Sequence, residues 1–173
     1  MQKQKSTEQT VQGCLELALN SVSNEVIKSF SSGRTDSGVH AQGQVMHFDT
    51  YADRQPREWV RGGNSLLPED IRILWAREVN NDFHARFSAL SRSYRYVIRN
   101  TEIPSALWSK RSLWVSTSLK VSCMRKAAKF LIGENDFSSF RGSGCQSHSP
   151  IRTLESLKIT TNNGIINKKL VLQ

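Results

Sequence analysis

The sequence predicts an α+β fold, and three observations carry that expectation. Apolar residues recur at helical spacing in two separate stretches. Residues 93–99 alternate like a half-buried strand, and Asn162-Asn163-Gly164 joins two strand-like runs near the C-terminus. Helices and at least one antiparallel strand pair are therefore mixed in one chain.

The elements follow in order. Ser6 and Gln9 are spaced as a capping box for a first helix, whose apolar face is Val11, Leu15, Ala18, Leu19 and Val22. Residues 26–31 read as a short strand. Residues 32–41 read as a loop, because two glycines and an aspartate interrupt any regular period. A strand is expected at 44–49, a weak helix at 57–64 ended by Leu66-Leu67-Pro68, and another strand at 71–79. In the alternating run, Tyr94, Tyr96 and Ile98 share one face, while Arg95, Val97 and Arg99 share the other. After a loop around Pro104, a second helix is expected at 118–132. Its stripe is Val121, Met124, Ala128 and Leu131, with Gly133 at the C-terminal cap. Residues 138–149 are rich in Ser and Gly and read as loop, and strands are expected at 152–160 and 165–172.

Composition narrows the partners. The chain has 173 residues, 38% of them hydrophobic, which suits one domain or two small lobes and excludes a disordered composition. Lys and Arg number 24 against 15 Asp and Glu, a net charge of +9 that favours polyanions, nucleic acid first among them. Cys14, Cys123 and Cys145 are far apart and form no Cys-x-x-Cys pair, so reduced thiols are expected, with neither zinc nor a disulfide framework. His40, His47, His84 and His148 show no metal-ligand spacing, and Gly142-Ser143-Gly144 lacks the spacing of a hydrolase elbow. The polar start has no apolar segment behind it long enough for a signal peptide or membrane span. That points to the cytoplasm and leaves an organellar form open.

Three stretches could carry chemistry. In Gly33-Arg34-Thr35-Asp36-Ser37-Gly38-Val39-His40, the glycines would let the backbone bend and expose Arg34 and Asp36. A carboxylate beside a guanidinium stays ionised, as a nucleophile or general base requires; Asp-Ser-Gly is equally the composition of an ordinary turn. Phe83 to Ala89 and Arg92 to Tyr96 alternate aromatics with arginines, either as stacking surfaces beside phosphate contacts or as a strand with buried tyrosines. Phe140-Arg141-Gly142-Ser143-Gly144-Cys145-Gln146-Ser147, ending at Arg152, suits a phosphate-contacting loop or a flexible connection.

Taken together, these stretches resemble the tRNA pseudouridine synthase A family. The segment Gly33 to Ala41 is similar to the family's signature loop, with Ser37 where alanine is more usual. Residues 82–96 and 133–152 resemble two further blocks in the same order, and Thr10-Val11-Gln12 fits as well. The resemblance implies the pseudouridine synthase fold, with two lobes of mostly antiparallel sheet, helices on one face, and a catalytic cleft between the lobes. The boundary would lie near Ala85, giving lobes 1–85 and 86–173. It implies an isomerase that needs no cofactor and converts uridine to pseudouridine in the anticodon stem-loop of tRNA, working as a homodimer away from membranes. Asp36 would be the catalytic carboxylate, by addition or by proton abstraction, Tyr94 the ring that stacks on the base, and Arg34 an arginine engaged in base flipping. Arg86, Arg92, Arg95, Arg141 and Arg152 would be RNA contacts. Family members begin with a strand bearing Gly-Trp-Gln and continue into a helix whose arginine pairs with the catalytic aspartate. This chain opens at a helix cap and closes on the apolar Leu170-Val171-Leu172, so a fragment is expected. The alternative is a catalytically inactive RNA-binding remnant or gene-model fragment of the same family.

Overall fold

A computed structural model of the chain describes residues 10–142 and 149–172. The chain divides into two compact units, the first ending at Ala89 and the second beginning at Leu90.

The first unit starts with helix α1 (Val11–Ser23). Its N-cap is Thr10, whose hydroxyl accepts the Gly13 amide at 3.1 Å. The expected Ser6–Gln9 box lies outside the described residues. Asn24 ends the helix in the left-handed region, and its amide donates to the Asn20 carbonyl. Strands β1 (Ser29–Ser31) and β2 (Met46–Phe48) pair antiparallel, with Phe30 opposite His47. Helix α2 (Pro56–Leu66) opens with proline in its first turn, and the Glu58 carboxylate accepts the Gln55 amide. The core gathers Leu19, Ile27 and Trp59, flanked by Val22, Phe48 and Ile73.

Buried polar groups tie α1 to β1. Glu16, nearly buried, accepts from the Ser29 amide and hydroxyl and from the Gln12 side chain, while Gln12 also donates to the Ser29 carbonyl. A buried carboxylate needs such partners, and here they set the position of the strand that leads into the Gly33–Gly38 loop.

The second unit is a five-stranded sheet in the order β4-β3-β7-β6-β5. It is built from β3 (Arg92–Asn100), β4 (Leu113–Val115), β5 (Gly133–Asp136), β6 (Ile151–Asn162) and β7 (Ile165–Leu172). Strands β3 and β4 run parallel; all other neighbours are antiparallel. Helix α3 (Val121–Ala128) covers one face, where Ala128 packs with Ile98, Ile159 and Ile166. Asn163 and Gly164 form the two-residue turn between β6 and β7, both at positive φ as a type I′ turn demands.

Four expectations are corrected. Residues 71–79 form no strand. The Asn64 side chain instead satisfies both backbone groups of Ile73, at 2.8 Å each, so Ile73 joins the core without a sheet partner while Leu74, Trp75 and Val79 stay exposed. The helix expected at 118–132 is α3 alone, followed by a 3-10 turn at Lys129–Leu131 that leaves Leu131 exposed. Gly133, at φ 96, opens β5 rather than capping the helix directly. The strand expected at 26–31 shortens to β1, with Val26 exposed.

Candidate functional site

The Asp36 loop leaves β1 and returns to β2. Its base is closed by the Ser32 amide on the Val45 carbonyl at 2.9 Å, and the Gln44 side chain donates to the Gly33 carbonyl at 2.7 Å. Its tip is a turn in which the Val39 amide donates to the Asp36 carbonyl. Gly38 stands third in that turn at φ 81, as in a type II turn. A side chain there would meet nothing within 4 Å, so the requirement for glycine is conformational rather than steric. Gly33 does not share the positive φ; its contribution is the anchored carbonyl.

The turn lifts Asp36 into solvent, with 85% of its side chain exposed. Arg34 is also exposed, and its Nε lies 3.8 Å from the Asp36 carboxylate. At that distance, in water, the pair is a loose electrostatic contact that leaves both groups available to another molecule.

Residues 83–88 form a compact turn held by two imidazoles. The His47 Nδ1 accepts the Ala85 amide at 3.1 Å, and the His84 Nδ1 faces the amides of Arg86 and Phe87. The two rings are 4.6 Å apart, with Phe30 stacked on His47. An imidazole that accepts at Nδ1 is neutral, with its proton on Nε2. Burial lowers the His47 pKa, reinforced by His84, while Asp49 and the Phe30 carbonyl oppose the shift. This clasp holds the turn that displays Arg86, whose guanidinium lies over the Phe87 ring. Reading the histidines only for metal spacing missed it. The signal available was a histidine beside an arginine in a segment dense with aromatic rings. Among the described residues, no group of three or more His, Cys, Asp or Glu could hold a metal ion.

The other candidate residues lie in the second unit. Tyr94 stands opposite Leu170, about half exposed, and Tyr96 beside it carries the Lys168 ammonium over its ring. The tyrosines are thus not core residues. Strand alternation and register put Arg92 and Arg152 on the same sheet face as Tyr94, and Arg95 on the opposite face. Arg141 follows the 3-10 turn Ser138–Phe140 and is exposed. Just before that turn, the Asp136 carboxylate accepts the Ser138 amide, and its pKa is held below the usual range by the hydroxyl and amide of Ser138, with Arg141 adding to the shift. The Ser143–His148 part of the expected phosphate-contacting loop, with Cys145, lies outside the described residues.

Comparison with known proteins decides the family. The sequence pattern of the tRNA pseudouridine synthases matches residues 1–88 and 127–171. This chain belongs to that family. The tRNA pseudouridine synthase A of Alcanivorax borkumensis is 49% identical over 158 residues, covering 91% of this chain and 59% of the relative. The protein of the same name from Coxiella burnetii is 51% identical over 150 residues, covering 87% and 58%. That of Neisseria meningitidis is 46% identical over 169 residues, covering 98% and 64%. The chain thus spans about three fifths of the length of the curated relatives it matches. The Asp36 loop and the 83–88 turn both fall in the first matched segment, whereas Tyr94 falls between the two. No helix among the described residues is long and apolar enough to cross a membrane.

Proposed function

We propose that this chain carries the catalytic loop of an enzyme that isomerises uridine to pseudouridine in the anticodon stem-loop of tRNA, with Asp36 as the catalytic carboxylate. The observation that supports this most is the presentation of Asp36. It stands on a glycine-dependent turn, exposed, beside one arginine, inside a segment matched by the family. Isomerisation breaks the bond from the ribose to N1 of uracil and makes one to C5; C5 loses a proton and N1 gains one. An ionised carboxylate can serve at the sugar or accept that proton, and no external oxidant or cofactor enters the balance. Uracil inside a stem-loop must leave its stack before a protein group can reach it. On this reading Tyr94 supplies the face on which it rests, and Arg34 helps hold the flipped nucleotide. Arg86, Arg92, Arg141 and Arg152 contact the RNA backbone, with Arg95 doing so from the other face of the sheet. The enzyme acts as a homodimer in the cytoplasm.

The test follows tritium released from C5-labelled uridine in unmodified tRNA transcripts. It uses this chain, and in parallel this chain extended by the remaining part of the Alcanivorax relative. Release that disappears in Asp36→Ala while transcript binding persists is the expected result. Undiminished release by Asp36→Ala would sink the catalytic assignment. Binding without release by either unmutated form would favour the RNA-binding remnant.

A further inference from the structure

The face of the second unit's sheet turned away from α3 carries an unusual arrangement of charge. Arg95 on β3 pairs in register with Lys169 on β7, and Lys169 pairs with Lys158 on β6. All three are exposed, so three cations stand directly opposite one another across adjacent strands. With strands about 4.8 Å apart, the row is about 10 Å long. Like charges in directly opposed positions destabilise a sheet, and no carboxylate stands in the row to relieve them. Alternation puts Glu134 and Asp136 on this face, on β5 at the far edge, while Glu155 lies in the β6 bulge, where alternation assigns no face.

The same face continues toward β4 into an aromatic concavity of about 480 Å³. Arg99, four residues beyond Arg95 and so on the same face, lines it together with Trp108 and Trp114. Trp114 is the register partner of Arg99 on β4, and the Arg99 guanidinium lies 5.8 Å from the Trp108 ring centre. Both indoles are more than one-third exposed. The Arg99 Nε is buried and meets no hydrogen-bond partner among the described residues. A buried guanidinium nitrogen without an acceptor is costly. At its rim Lys110 is held at φ 60, a conformation that non-glycine residues seldom adopt.

We infer that this α3-free face binds a single-stranded or looped segment of RNA. Phosphates lie along the Arg95–Lys169–Lys158 row, and one unstacked base enters the Arg99–Trp108–Trp114 concavity. Charge complementarity identifies a polyanion, and the indole faces beside a guanidinium favour a nucleic acid, whose bases stack, over an acidic polypeptide. The inference rests on the tRNA reading of this chain and adds a surface on the opposite side of the sheet from Tyr94.

The test is the salt dependence of tRNA transcript binding by the chain and by its Lys158→Gln/Lys169→Gln variant. Both lysines are exposed, and their removal relieves repulsion, so the variant's melting temperature is expected to stay level or rise. Loss of two phosphate contacts should lower the slope of log K against log salt by about 1.4 and weaken binding roughly tenfold at low salt. In a second arm, Trp114→Leu should weaken binding of a dye-labelled uridine oligomer by roughly fivefold or more. Unchanged slope and affinity in both variants would overturn the surface, as would a wild-type chain that binds no RNA. Polyglutamate that displaces the oligomer as readily as unlabelled RNA does would assign the face to an acidic protein and overturn the RNA assignment. Failure of tritium release with the binding effects intact would count against the proposed reaction alone. Asp36-dependent release with unchanged binding in both variants would count against this surface alone.

Discussion

Asp36 and Tyr94 are both exposed, yet the chain holds them by opposite means. Asp36 rides on a loop whose shape depends on one glycine at positive φ, a closing backbone bond and the Gln44 amide. Tyr94 rides on β3, which pairs with β7 from Arg92 to Arg99. The contrast separates two sources of precision. A sheet residue inherits its position from the cooperative stability of the whole unit, whereas a loop residue depends on a few local contacts that can be lost while the fold survives. Changes around Asp36 should therefore alter activity more than stability, and changes to the sheet should do the reverse.

The largest expected effect is at Asp36 itself. On the proposed reading, Asp36→Ala should reduce tritium release by on the order of 10³-fold, and with the side chain exposed the melting temperature should change little. A matching drop in melting temperature would contradict the separation. Next is Gly164→Ala in the sheet's hairpin. At φ 73, the added carbon would sit 3.1 Å from both the Asn100 carbonyl oxygen and the Thr101 methyl. Chemical denaturation should show a loss of about 2 kcal/mol or more, combining left-handed strain with crowding. Gly38→Ala provides the paired measurement. It meets no neighbour, so the expected stability loss is only about 1 kcal/mol, while release falls by a larger factor because Asp36 is re-aimed. Tyr94→Ala should weaken transcript binding by about 1–3 kcal/mol, the range for losing one base stack, and Tyr94→Phe should retain most of it.

The smallest effect concerns the His47 clasp. Its folded pKa lies below the ordinary imidazole value, so the unfolded chain binds the proton more readily. Stability from the neutral ring is fully present above about pH 6.5 and declines as the pH falls from there toward the folded pKa. Urea titrations between neutral and mildly acidic pH should show that decline, flattened in His47→Gln. An equally steep decline in the variant would show that the effect does not come from His47.

Much of this was legible in the sequence where local rules apply. The Asn-Gly turn, the alternation from Ser93 to Arg99 and the glycine loop all depend on neighbours along the chain, and each stands where expected. What escaped depends on neighbours in space. Strand β5 is Gly-Glu-Asn-Asp, polar throughout, and becomes a strand only because β6 offers it an edge. Strand β4 is three residues long, below any readable period. Residues 71–79 read as a strand yet find no partner, because the Asn64 amide takes the place of one at Ile73. The arginines show the same limit, since their spacing in sequence did not reveal that Arg95 and Arg152 belong to opposite faces until the register of β6 and β7 was known.

Asn100 receives the tip of the β6–β7 hairpin, its amide donating to the Gly164 carbonyl at 2.8 Å. Its side chain meanwhile binds the carbonyls of Val115 and Thr117 and the amide of Leu119. This sets an order of assembly. The hairpin closes through two residues and can form in microseconds, whereas β3 must reach β7 across a long loop whose closure is entropically slower. The completed hairpin is then the template onto which β3 docks, and Asn100 is the point at which late-arriving strands lock. Slowing of refolding with little change in unfolding should therefore concentrate at Asn163 and Gly164, and faster unfolding at Asn100.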